Sequence, residues 1–216
     1  LPDIARSPST VLILGESGTG KELIARSLYN ASERAEGPFV AVNCTAIPDS
    51  LFESEMFGYE SGAFTGALSK GKIGKIEIAN GGTLFLDEVE KFPTKLGDVL
   101  ADALKNGVLN KETGVRRKFN VRIIAACDSN LKRLTDKGLF SKSLYELVIG
   151  TVVRVPPLRE RVEDVEVIAN HILTEMAARH SMPTKTLSHE AMELLNSCHW
   201  PGNIKQLQGV IEQAFF

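Results

Sequence analysis

Residues 11–22 read Val11-Leu12-Ile13-Leu14-Gly15-Glu16-Ser17-Gly18-Thr19-Gly20-Lys21-Glu22. The first four residues predict a short strand that is buried on both faces, and a helical pattern over Lys21–Asn30 follows the glycines. Glycines let the backbone between the two elements curl so that its N–H groups converge on phosphate oxygens, and the helix N-terminus adds a favourable dipole. Lys21 would then reach the β- and γ-phosphates of a nucleotide. The arrangement therefore predicts a phosphate-binding loop at Gly15–Glu22.

Four further apolar runs, rich in β-branched residues, predict more buried strands. They are Phe39–Asn43, Thr83–Leu86, Val121–Ala126 and Thr151–Val155. Helical patterns lie between them, and Leu96–Asn106 is the clearest after the first helix. Because strands alternate with helices, we expect an α/β domain over residues 1–158, with a five-stranded parallel sheet sandwiched by helices.

The pattern changes after Pro156-Pro157, where an all-helical lid is predicted over residues 159–216. A long first helix has its apolar face at Val165, Ile168, Ala169, Ile172, Leu173 and Met176. A second helix starts at Ser188 and has its apolar side at Ala191, Leu194, Leu195 and Cys198. Asn203 is placed to cap a third helix that carries Ile204, Leu207, Ile211 and Ala214.

Composition excludes several classes of protein. A hydrophobic content of 43% and a charged content of 24% are typical of a globular domain, and a net charge of −2 argues against bulk electrostatic binding of nucleic acid. The three cysteines and four histidines lack the spacing of a zinc site, which predicts reduced core thiols and no metal centre built from histidine. No signal peptide and no apolar run near 18 residues occurs, so we expect a cytoplasmic fragment of a longer protein with no membrane contact.

A second segment that could carry chemistry is an apolar strand ending in two carboxylates, Gly81-Gly82-Thr83-Leu84-Phe85-Leu86-Asp87-Glu88. Such a strand end would place Asp87 near a phosphate-bound Mg²⁺ ion and Glu88 beside an attacking water. Read alone, the same residues also fit a solvated acidic turn. The phosphate-binding loop upstream favours the catalytic interpretation.

The third segment is a glycine-rich stretch with one aromatic residue, Gly62-Ala63-Phe64-Thr65-Gly66-Ala67. It has no apolar periodicity that would bury it, so an ordinary flexible loop is one interpretation. A phenylalanine between glycines is costly to leave in water, which favours a loop tip that contacts a partner.

These three segments together resemble the central domain of the sigma-54-dependent transcription activators, the bacterial enhancer-binding branch of the AAA+ ATPases. The resemblance covers essentially the whole chain, including Pro156–Arg161 and Trp200–Asn203 at the lid, and Glu22 is the residue this family has at the end of its phosphate loop. It implies that Asn43 holds Glu88 in an inactive pose until the nucleotide state changes. It also implies that Gly62–Ala67 engages sigma-54 bound to RNA polymerase.

The resemblance further implies a ring of six or seven subunits with ATP and Mg²⁺ between neighbours. Hydrolysis would move the Phe64–Thr65 loop and remodel the closed promoter complex so that DNA can melt. Lys21 would neutralise the triphosphate, Asp87 would position Mg²⁺ and Glu88 would polarise water. DNA would be bound only through a domain absent from this sequence.

The sequence departs from the family pattern near the γ-phosphate. The family's sensor I asparagine is Asp128 and its sensor II arginine is Lys205, while Ser141 and Leu147 stand where two arginine fingers belong. Lys142 is one residue away, but it lacks the forked geometry of arginine. Two hypotheses therefore stay open: a working ATPase that remodels sigma-54 polymerase, or a nucleotide-binding regulatory module that hydrolyses poorly.

Overall fold

The computed structural model describes residues 2–60, 71–110, 116–128 and 130–216, and these fall into two compact units. The first unit contains the described residues up to Leu14 and those from Glu22 to Val153. The second contains Gly15–Lys21 together with Arg154–Phe216. The phosphate-binding loop is therefore grouped with the lid helices. The domain boundary at residue 158 stays a prediction.

Within the described residues the helices and strands have the following bounds. The strands are β1 Val11–Leu14, β2 Phe39–Asn43, β3 Gly58–Tyr59, β4 Lys72–Ile73, β5 Thr83–Asp87, β6 Val108–Asn110, β7 Arg116–Lys118, β8 Arg122–Cys127 and β9 Thr151–Arg154. The helices are α1 Pro2–Arg6, α2 Lys21–Asn30, α3 Asp49–Met56, α4 Lys75–Ile78, α5 Thr94–Asn106, α6 Leu131–Asp136, α7 Lys142–Val148, α8 Glu163–His180, α9 His189–Ser197 and α10 Asn203–Phe215. Single 3₁₀ turns lie at Val89–Lys91 and Leu158–Glu160.

The sheet of the first unit has five strands in the order β2-β5-β8-β1-β9, which confirms the predicted fold class. The pairs β2–β5, β5–β8 and β8–β1 are parallel, so their carboxyl ends lie at one edge of the sheet. The central strands β5 and β8 are buried because helices cover both faces, as their continuous apolar sequences require. Strand β8 begins with a buried arginine, Arg122, whose guanidinium donates to the carbonyls of Ala5 and Ile4, each at 2.7 Å.

Two antiparallel strand pairs also lie in this unit. Strand β3 pairs with β4, with Gly58 opposite Ile73, and β6 pairs with β7. The predicted partner loop, Gly62–Ala67, lies outside the described residues. Arg117 of β7 donates to Glu77 of α4 at 2.5 Å and to Glu60, the residue after β3, at 3.3 Å.

In the second unit, helices α8 and α10 pack around a small apolar core. Its members include Val165, Ala169, Leu173, Met176, Leu207, Ile211 and Phe215. Among the apolar residues predicted for the third helix, Ala214 is exposed. The neighbouring Phe215 is buried in its place. Helix α10 also does not use Asn203 as its cap: Gly202 precedes the helix, and Asn203 is its first residue.

The predicted face of helix α9 is wrong in part. Ser188 caps the helix as expected, accepting a hydrogen bond from Ala191 N at 3.2 Å. Leu195 is buried and Met192 packs beside it, whereas Leu194 is 68% exposed because it lies one residue, about 100°, around the helix from Leu195. Cys198 is also exposed, so of the expected core thiols only Cys44 and Cys127 are buried. No helix in the described ranges is long and apolar enough to span a membrane.

Candidate nucleotide-binding site

The phosphate-binding loop curls through two glycines with left-handed backbone conformation. Gly18 has φ of +78° and Gly20 has φ of +94°, values that residues with a Cβ rarely adopt. A Cβ at Gly18 would also lie 2.4 Å from the Gly202 carbonyl oxygen, so the position has no room for a side chain. Thr19 is buried between these glycines, and its hydroxyl donates to the Glu16 carbonyl at 2.8 Å.

Lys21 extends across the same loop. Its Nζ donates to the carbonyl oxygens of Gly15 at 2.8 Å and Glu16 at 3.1 Å. The ammonium group therefore lies over the loop, where it could also reach phosphate oxygens.

Lid residues hold the outer side of the loop. The Glu16 carboxylate accepts two hydrogen bonds from Arg159, at 2.6 and 2.8 Å, and one from Asn203 Nδ2 at 3.2 Å. These bonds, with that from Arg159 the stronger, lower the pKa of Glu16 to about 2, so the carboxylate is ionised at neutral pH. Sequence reasoning assigned Glu16 to the nucleotide but did not anticipate its partners on the lid.

The next three carbonyl groups of the loop also face lid donors. Asn203 Nδ2 donates to Ser17 O at 3.0 Å, the Ile204 backbone N–H donates to Gly18 O at 2.9 Å, and Arg161 Nη2 donates to Thr19 O at 2.8 Å. Lys205, the predicted sensor II residue, is exposed, and its Cβ would lie 3.1 Å from a Cβ at Gly18. The lid thus contacts the loop through backbone and side chains together.

The acidic strand end lies at the carboxyl edge of the parallel sheet. Asp87 is the last residue of β5, is partly exposed, and lies opposite Asn43 of β2. Its Oδ1 accepts the Glu88 backbone N–H at 3.0 Å, and Glu88 has a left-handed φ of 52°. A non-glycine residue in that conformation is uncommon, and such residues concentrate at functional sites.

Asn43 uses its side chain locally. Its Oδ1 accepts the backbone N–H groups of Thr45 at 2.9 Å and Ala46 at 3.1 Å, which closes the turn after β2. The role implied for Asn43, restraint of Glu88, stays a prediction. Glu22 is likewise engaged nearby in sequence, since its Oε1 accepts from Arg26 Nε at 3.0 Å and Nη2 at 2.8 Å.

Asp128, which follows β8, has a carboxylate neighbour that sequence reasoning missed. Glu90, in the turn after β5, is half-buried, and its pKa is raised to about 7, first by burial and then by a hydrogen bond with Asp128. Two carboxyl groups can share a hydrogen bond only when one is protonated. No local pattern around Glu90 marks it, because the contact joins two different strand ends.

The two positions that correspond to arginine fingers are occupied by packing residues. Ser141 is 2% exposed and caps α7, accepting from Leu144 N at 3.0 Å and donating to Asp98 Oδ1 at 2.7 Å. Leu147 is partly buried against the core of the sheet unit. Lys142, the first residue of α7, is exposed. Lys142 is therefore the cation in this segment that a neighbouring molecule could reach.

Across the described ranges, no group of three or more His, Cys, Asp or Glu side chains is arranged to hold a metal ion.

The chain is similar to known protein families and to curated proteins. Residues 1–153 match the family model described as the Sigma-54 interaction domain, and residues 159–216 match the AAA+ ATPase lid domain. A Nif-specific regulatory protein from Azospirillum lipoferum is 44% identical over 212 residues, which are 98% of this chain and 34% of that protein. The transcriptional regulatory protein XylR from Pseudomonas putida is 45% identical over 211 residues, 97% of this chain and 37% of that protein.

A solved structure of NtrX from Brucella abortus in complex with ATP has a TM-score of 0.88 and 32% sequence identity, covering 99% of this chain and 48% of that chain. The chain spans about a third to a half of the length of the curated relatives that it matches.

Proposed function

Because the chain belongs to the Sigma-54 interaction domain family and ends in an AAA+ lid, we propose that it binds ATP and hydrolyses it to remodel a protein partner. The observation that carries the proposal is the geometry of Gly15–Lys21. Two left-handed glycines curl the loop, and Lys21 lies across it. The ATP complex of NtrX, similar over nearly the whole chain, supports nucleotide as the ligand.

The end of strand β5 supports a role for Asp87 in holding Mg²⁺. Asp87 lies at the carboxyl edge of the parallel sheet, and its partly exposed carboxylate is a suitable oxygen ligand. Mg²⁺ would neutralise the developing phosphate charge, while Glu88 would orient the attacking water.

We extend the proposal to the partner. The family is described as the Sigma-54 interaction domain, and the segment that the resemblance assigns to this contact is Gly62–Ala67. The chain would use it to contact sigma-54 in the RNA polymerase holoenzyme. Arg117 of β7, through its ion pairs with Glu77 and Glu60, would transmit movement to that segment. Self-association into a ring of six or seven subunits would complete each site, and DNA would be bound by another domain.

A second candidate function is a nucleotide-binding regulatory module with weak hydrolysis. It is favoured by the buried, capping role of Ser141 and by the packing of Leu147, because neither position presents a cation to a neighbour. A missing arginine finger costs on the order of 10³–10⁵ in turnover. We retain hydrolysis as the first candidate because the Asp87-Glu88 pair is present and Lys142 is exposed.

Nucleotide binding is tested by Lys21→Ala, with Lys137→Ala as the matched control because Lys137 is exposed on the sheet unit. Titration with a fluorescent ATP analogue should show binding by the wild type and by Lys137→Ala, and none by Lys21→Ala. Equal affinity in all three proteins would contradict the assigned phosphate loop.

The partner assignment is tested by Thr65→Ala. We expect this variant to keep ATP turnover and to lose opening of a sigma-54-dependent promoter. Promoter opening at the wild-type rate would remove the support for sigma-54 as the partner.

A further inference from the structure

The lid donates hydrogen bonds to three consecutive carbonyl groups of the phosphate loop. Ser17 O, Gly18 O and Thr19 O accept from Asn203, Ile204 and Arg161 respectively, at 2.8–3.0 Å. Each carbonyl shares a planar trans peptide with the next residue's N–H, and the two groups point in opposite directions. Holding the Ser17 and Thr19 carbonyls toward the lid therefore turns the N–H groups of Gly18 and Gly20 to the other side, where phosphate would lie. The Thr19 N–H instead donates to the Glu16 carbonyl at 3.4 Å, which closes the turn of the loop.

Asn203 is suited to this role by its own environment. It is fully buried and has a left-handed φ of 51°, a conformation that costs free energy and that its contacts must offset. Both of its amide hydrogens have acceptors, Glu16 Oε2 and Ser17 O, and its Oδ1 accepts from Leu158 N at 2.8 Å. A side chain without two donors could not make the same contacts.

The Glu16–Arg159 ion pair is a further contact between the phosphate loop and the lid. Arg159 binds both carboxylate oxygens of Glu16, which is the bidentate geometry that only arginine provides. The same carboxylate oxygen, Oε2, also accepts from Asn203. One loop side chain thus links two separate segments of the lid.

We propose that Asn203, Arg161 and the Glu16–Arg159 pair are positioning residues, which hold the phosphate loop in its phosphate-binding shape and so set the affinity for the phosphate part of the nucleotide. This inference rests on the proposed nucleotide binding. None of the three lid side chains needs to touch the ligand, because each acts through the backbone of the loop.

The main test is Asn203→Asp, which keeps the shape of the side chain and the acceptor for Leu158 N but removes both donors. It also places a negative charge beside Glu16, 3.2 Å from the present nitrogen. We expect the affinities for a fluorescent ADP analogue and for inorganic pyrophosphate to fall by the same factor, about tenfold or more, since each lost hydrogen bond is worth about five- to tenfold. Asn196→Asp is the matched control, because Asn196 is exposed on α9 of the same lid.

A second variant tests the proposal even if Asn203→Asp does not fold. Arg161→Gln removes the donor to Thr19 O at a half-buried position and should weaken pyrophosphate about fivefold or more, while Arg161→Lys should recover part of the affinity. Melting temperatures are measured in parallel. A folded variant that melts earlier but binds pyrophosphate as tightly as the wild type would show a purely structural role and overturn the inference. A folded wild type that binds neither ligand would overturn the proposed function, and the inference with it.

Discussion

Restoring an arginine at position 141 should destabilise the protein instead of activating it. Ser141 is 2% exposed, and a Cβ at Gly97 of the neighbouring helix α5 would lie only 2.7 Å from the Ser141 Cβ. Ser141→Arg loses the helix cap, worth about 1 kcal/mol. It also forces a long side chain into packed space, which costs about 1–3 kcal/mol. The expected loss is therefore about 2–4 kcal/mol, or about 5–15 °C in melting temperature for a chain of this size.

Thermal unfolding by circular dichroism and ATP turnover are measured on the same samples. Ser141→Ala should lose the cap and the hydrogen bond to Asp98, together about 1–2 kcal/mol, without the cost of overpacking. Lys142→Arg, at an exposed neighbouring position, should change stability by less than about 0.5 kcal/mol. A Ser141→Arg protein that melts with the wild type, or that hydrolyses ATP faster, would refute the conclusion that this position is structural.

Two further predictions follow from the described contacts. Because the pKa of Glu90 is raised to about 7, the folded state favours the protonated carboxyl group. The contribution of this group to the free energy of unfolding is fully present below its ordinary pKa near 4.5, and it is lost as pH rises through 7. Melting temperature should therefore fall less between pH 5 and pH 8 in Glu90→Gln than in the wild type, and an unchanged slope would contradict the assignment. On helix α9, Leu195→Ala should cost about 2–5 kcal/mol in denaturant unfolding. Leu194→Ala should cost less than about 0.5 kcal/mol. Equal losses in the two variants would show that Leu194 is also packed in the core, as the sequence predicts.

The parallel sheet could be predicted well because its signals are local and strong. Strands β1 and β2 and helix α2 have the predicted bounds, since continuous apolar runs and the glycine loop mark them clearly. The predicted bounds of strand β8 are wrong by one residue, because the strand starts at Arg122 and not at Val121. A buried arginine at a strand start contradicts the usual exposure of arginine, and only the carbonyls of Ile4 and Ala5, distant in sequence, explain it.

The short strand pairs β3–β4 and β6–β7 were not predicted, because strands of two or three residues carry no periodicity. The residues assigned to the site stay predictions, and several of their contacts could not be predicted from the sequence. Asn203 was expected to cap a helix, a common use of asparagine, yet its amide binds Glu16 and Ser17, 186–187 residues away. Glu90 was missed for the same reason: its environment is created by the fold and not by its neighbours in sequence.

The decisive measurement is ATP turnover per subunit as the protein concentration rises, with Asp87→Ala as the blank. If neighbouring subunits complete each site, turnover per subunit should climb steeply with concentration and should fall when Lys142 is replaced by alanine. Tight ATP binding with turnover no greater than that of the blank at every concentration would contradict hydrolysis, and would identify the chain as a nucleotide-binding regulator.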